Sequence, residues 1–164
     1  MADIDIGAEA TNRSSAIING STLLDNTNVA NDTGTLDTIE IWASSALAGC
    51  KVGTFYEDGG ATKYTARDSV TLGSVTQGSK QTFTVDSSSN PIALDVETGD
   101  LIGIYYSAGT LERDASGGSC WLKTGDQMSV SQGTFVSRVY ILSVKATGAS
   151  AGAADNSIFF GINF

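Results

Sequence analysis

Cys50 and Cys120 are the only cysteines of this 164-residue chain, and no histidine occurs anywhere in it. Without an imidazole the chain lacks the commonest general base and the commonest transition-metal ligand. Serine–histidine and cysteine–histidine nucleophile systems are excluded, and with them most catalytic zinc sites. The two cysteines lie 70 positions apart (120 − 50). Joined, they would remove about 4 kcal/mol of unfolded-chain entropy. Each also begins a strand-like segment, where a free thiol is a common small core residue, and synthesis in a reducing cytoplasm favours the thiol. At this level a Cys50–Cys120 disulfide and a pair of thiols both stay open.

The acids Glu57, Asp58, Glu97, Asp100, Glu112, Asp114 and Asp126 are placed to gather at loop ends. A structural calcium would take about 6–8 oxygen ligands. No Asp-x-Asp-x-Asp-Gly loop occurs, so solvated turn acids are the favoured reading, no individual ligand is assigned, and no other cofactor is expected. A glycosidase-type carboxylate pair needs no histidine, but any two acids would satisfy that description. Trp42 and Trp121 are the candidates for stacking on the apolar face of a sugar ring. Trp42 falls on the polar side of an alternating segment, and Trp121 follows the Gly117-Gly118 turn.

The elements that carry these residues read as strands. The chain is 41% hydrophobic with 19 glycines and one proline, which suits one domain of strands and tight turns. Ile39, Ile41 and Ala43 alternate with Thr38, Glu40 and Trp42, and Val52, Thr54 and Tyr56 continue to an Asp58-Gly59-Gly60 turn. Further strands are expected at 21–25, 64–75, 81–85, 92–96, 101–107, 120–123, 136–144 and 157–163. Two runs are apolar on both faces, Leu101 to Tyr106 and the last one, so each must be covered on both sides. In the last run Ile158, Phe159, Phe160, Ile162 and Phe164 form a candidate assembly strand, because such an edge left open invites pairing. Ala146 to Asn156, nearly all Ala, Gly and Ser, reads as a flexible loop. Residues 1–20 read as a candidate N-terminal arm ahead of a single sandwich domain at 21–164. The expected class is all-β, a jelly-roll-like antiparallel β-sandwich.

Eighteen acidic against nine basic residues give a net charge of −9, and the basic residues are scattered singly. Phosphate backbones would be repelled, so nucleic acid is not an expected partner. No apolar run approaches the ~18 residues of a membrane helix, and no membrane partner is expected. The first ten residues hold three acids and no base, unlike a secretory signal, so synthesis in a host cytoplasm is expected.

The stretches Gly34-Thr-Leu-Asp-Thr-Ile-Glu-Ile-Trp42, Val52-Gly-Thr-Phe-Tyr56 and Val96-Glu-Thr-Gly-Asp-Leu-Ile-Gly-Ile-Tyr-Tyr106 have a shared cadence. Over residues 34 to 125 it resembles jelly-roll modules of carbohydrate-binding domains and of tailed-bacteriophage virion proteins, among them head-decoration and fibre proteins. The resemblance lies in the pattern of strands and carries over no binding residue. It implies a non-enzymatic virion subunit, most specifically a capsid decoration protein. Such a protein would sit on the capsid exterior, contact the major capsid protein or other virion subunits, and self-associate, with a trimer as the expected state. A carbohydrate-binding module or receptor-binding fibre domain, with a glycan as partner, is the alternative. An extracellular adhesive or appendage subunit is the second.

Overall fold

The computed structural model describes residues 3–152. Every regular element among them is a strand, and the ladders are antiparallel, in keeping with the all-β expectation. β1 (Asp3–Gly7), β2 (Ser15–Ile18) and β3 (Ser21–Asp25) lead into β4 (Gly34–Glu57), a 24-residue strand that organises the rest. β5 (Lys63–Val75), β6 (Lys80–Phe83), β7 (Leu94–Val96) and β8 (Leu101–Tyr105) follow. β9 (Ala108–Asp114), β10 (Cys120–Thr124) and β11 (Gly133–Thr134) come next. β12 (Val136–Arg138), β13 (Ile141–Leu142) and β14 (Val144–Ser150) complete the order.

β4 serves two layers. Its first half pairs with β14 on one side and with β6 and β7 on the other, and β1 extends the layer beyond β14. Its second half pairs with β5 and β8, from which β3 and β10 continue. β9 joins the middle of β4 and carries β2 and β13. Ile4, Ile6, Leu36, Ile39, Ile41, Val144 and Ala146 of the first layer share one core with Leu23, Val52, Ile102 and Ile104 of the second. All are at most 1% exposed, and each large side chain so buried contributes about 1.5–3 kcal/mol. The alternation at Ile39, Ile41 and Ala43 is the inward face of β4; Thr38, Glu40 and Trp42 are half-buried on its outward face.

A second core fills the other face of the second layer. β11 pairs with β5, β12 pairs with β10, and only Phe135 separates β11 from β12. The strands therefore close a hydrogen-bonded circuit, β4–β8–β3–β10–β12/β11–β5. It encloses Leu24, Phe55, Tyr64, Leu101, Met128 and Phe135. Phe135 meets Tyr64 edge-on at 5.7 Å and Phe55 at 6.4 Å. Glycine makes the room: Gly53 and Gly103 are register partners, and a Cβ on Gly103 would meet the Phe55 ring and stand 2.8 Å from Leu24 Cδ2. Coverage on both faces explains the apolar run in β8, where Leu101 faces one core and Ile102 and Ile104 the other.

Three expectations are corrected. Residues 1–20 are not a peripheral arm, because β1 pairs along β14, Ile4 and Ile6 are 0% exposed, and β2 pairs with β9. The edge of β1 away from β14 is met by a side chain: Asp5 N–H donates to Asn31 Oδ1 at 2.9 Å, and Asn31 Nδ2 donates to the Asp3 carbonyl at 3.1 Å. Ala146 to Ser150 are not loop but most of β14, held on both edges by β1 and β4. Small residues are required there, since a Cβ on Gly148 would stand 2.6 Å from Leu36 Cα. The single strand expected at 136–144 is broken into β12, β13 and the start of β14, because the chain crosses from the circuit to β9 and then to the first layer. The strand expected at 157–163, with Ile158, Phe159, Phe160, Ile162 and Phe164, lies outside the described residues.

Candidate functional site

Trp121 is opposite Leu24 in the β3–β10 ladder and so faces the second core, where its ring tilts against Tyr64 at 5.5 Å. Its indole N–H is buried without a hydrogen-bond partner among the described residues. Like Trp42, Trp121 is half-buried, and its ring packs at the edge of that core. The glycine turn before it marked a chain reversal but carried no information about register.

Trp42 lies on the outward face of the first layer, directly across from Lys80. Glu40, two residues along the same face, pairs with Lys80 at 3.1 Å. Beyond Glu40, its cross-strand partner Lys145 bridges Asp5 at 3.2 Å and Glu9. Trp42 is thus a half-buried indole at the margin of a band of ion pairs.

Cys50 and Cys120 are both 0% exposed in the main core, and both are free. Of the two readings, the structure takes separate thiols over a disulfide. Burial pushes each thiol up to about 12, so neither becomes a nucleophile near neutrality.

The seven loop acids do not converge. Asp100, 2% exposed, accepts from Arg67 Nε at 2.6 Å and Nη2 at 3.1 Å, a bidentate clamp. The third guanidinium nitrogen reaches Glu97 at 2.8 Å, and the group lies 4.7 Å from the Tyr56 ring centroid. The Asp100 hydrogen bond raises the Arg67 pKa further. Glu112 and Asp114 meet at Arg13, whose N–H donates to Glu112 at 3.0 Å and whose Nη1 donates to Asp114 at 2.9 Å. Arg13 Nε donates to Ser143 Oγ at 2.8 Å, and that hydroxyl donates to the Thr11 carbonyl at 2.7 Å. Asp58 accepts from Thr65 Oγ1 at 3.0 Å, while Asp126 pairs with Lys51 at 2.6 Å. Glu57 is exposed at the end of β4. Among the described residues no group of three or more acids or cysteines could hold a metal ion.

Sequence reasoning missed Arg13, Arg67 and Asp25. The two arginines tie segments distant in the chain, and a single basic residue in or beside a strand was the signal available. Asp25 is 0% exposed, and desolvation pushes its carboxyl up to about 6. Open clefts among the described residues include one of about 320 Å³ beside Thr33, Thr35, Arg67, Asp95 and Glu97, and one of about 390 Å³ beside Asp3, Asp37 and Thr147. In the first, the guanidinium is already engaged by Asp100 and Glu97. No protein-family model matches the chain, and no curated protein matches it.

Proposed function

We propose that this chain is a non-enzymatic structural subunit of a virion, in its most specific form a capsid decoration protein of a tailed phage. One observation carries the reading: the ion pairs of Arg67 and Arg13 are spent on architecture. Arg67 locks β5 to the turn before β8 through Asp100. Arg13 ties the N-terminal segment to β9, 101 positions away at Asp114. Side chains committed in this way hold a rigid double-cored body and do not exchange partners with a substrate. In this role the acidic outer surface faces solvent, and apolar contacts that include Ile158, Phe159, Phe160, Ile162 and Phe164 attach the body to its neighbours. The test is co-sedimentation of the purified full chain with tailed-phage heads. Pelleting that saturates at a stoichiometry fixed by the lattice supports the role. No affinity for any capsid lattice, together with a monomer at high concentration, overturns it.

A second reading, glycan binding, is favoured by Trp42 alone, as a half-buried indole bordered by Glu40 and Lys80. A glycan array with Trp42→Ala distinguishes it: binding lost in the variant selects the sugar-binding role over the coat role.

A further inference from the structure

Asp25 ends β3 with none of its surface exposed. Cross-strand register places it in one row with Cys120 on β10, Ile102 on β8 and Thr54 on β4, the row facing the main core. Its Oδ1 accepts the Thr27 N–H at 2.8 Å. Its Oδ2 receives the Leu142 N–H at 3.4 Å, a long contact. None of the ion pairs among the described residues includes it.

The ionisable groups on the elements packed around it are Cys120, Arg138, Arg113 and Asp114. Cys120 stands directly opposite on β10 as a neutral thiol. Arg138 on β12 is opposite Cys120 and donates to the Ser137 carbonyl. Arg113 on β9 is opposite Leu142, lies 4.0 Å from the Tyr140 ring centroid and donates through Nε to the Ala16 carbonyl at 3.2 Å, while its buried Nη1 has no hydrogen-bond partner among the described residues. Asp114, the next residue of β9, is engaged by Arg13. The carboxylate is held by backbone N–H groups and the Thr27 hydroxyl, and no basic side chain among the described residues pairs with it.

We propose that Asp25 is a pH-sensitive latch built into the fold, holding the core most tightly in mild acid and loosening it as the solution approaches neutrality. An ionised carboxylate buried without a cation costs free energy that its protonated form does not. Desolvation accordingly moves the group from 3.8 to about 6. The sign follows from linkage: between those values the folded chain keeps a proton that the unfolded chain releases. The stability associated with it is full below about 4, falls as pH rises, and is lost above about 6. Glu9, Asp86 and Asp114 move the other way, lowered respectively by hydrogen bonds from Lys145, from the Asn90 backbone and from the Ser14 backbone. They withdraw stability only as pH falls below the usual carboxylate range. Opposing slopes put the stability maximum at the low end of the range between about pH 4 and 6. The elements released first above that range are those that meet at Asp25: the end of β3, the Thr27 turn and β13. The latch stands whether or not the chain belongs to a virion.

The experiment is thermal unfolding of the full chain and of Asp25→Asn, followed by circular dichroism from pH 4.5 to 8. Because the chain has no histidine, no other side chain ordinarily titrates in the upper part of that window. The expected result is a melting temperature that falls by about 3–5 °C between pH 5 and 7.5 in the wild type and stays level in the variant. A level or rising wild-type profile overturns the proposal, as does an equal fall in the variant. If Asp25→Asn does not fold, a carbon-13 titration of the wild-type carboxyls decides. A midpoint near 6 for Asp25 supports the latch, and one near 4 overturns it.

Discussion

Asp100 precedes β8 with a guanidinium clamped across both of its oxygens, whereas Asp25 leaves β3 with neutral hydrogen-bond donors alone among the described residues. Both carboxylates are almost completely buried, at 2% and 0% exposure. The contrast separates two uses of a buried charge. At Asp100 the pair fixes geometry: Arg67 joins β5 to the turn at Glu97 and stacks on Tyr56. At Asp25 no ion pair among the described residues offsets the charge, so in the proposed latch the protonation state of the group sets how tightly the core is held. Burial alone therefore does not say what an acid contributes; its partner does.

The sharpest way to break the contrast is to make Asp100 resemble Asp25. Arg67→Met keeps most of the side-chain stem and strands the Asp100 carboxylate, which should cost about 3–5 kcal/mol in urea unfolding. A loss below about 1 kcal/mol would mean that Asp100 rehydrates and that the clamp is ornamental. The converse change removes the charge at Asp25. Asp25→Asn should gain about 1–3 kcal/mol at pH 7.5 and nothing at pH 4, measured by the same unfolding curves. An equal loss at both pH values would assign the role of Asp25 to hydrogen bonding and not to charge. The smallest effect belongs to an exposed pair. Lys51 and Asp126 are each about a third exposed, so Lys51→Ala should change stability by no more than about 1 kcal/mol, with that change fading in high salt.

Much of the fold was legible where local pattern and tertiary context agree. The span of β3, the inward set Ile39, Ile41 and Ala43, and the doubly covered run at Leu101 each follow from side-chain alternation or from its absence. β14 was not legible, because Ala, Gly and Ser have weak strand preference. It forms because β1 and β4 offer hydrogen bonds on both edges and leave room for little else. The N-terminal strands were hidden for a related reason: Ile4 and Ile6 alternate with acids, but their partner strand had been read as loop. The packing of Trp121 at the edge of the second core was not legible, because register, which the glycine turn before it does not encode, decides which face a side chain takes. The charged contacts were beyond reach altogether. Arg13 meets Asp114 across 101 positions, and Arg67 meets Asp100 across 33, separations that no local spacing rule connects.

The assembly role is tested most directly by the mass of the full chain in solution, from light scattering across a concentration series with and without calcium. A closed oligomer is predicted, with a mass near three times that of the 16.9 kDa chain, unchanged by calcium. A 16.9 kDa monomer at every concentration would contradict that role and turn attention to the face around Trp42.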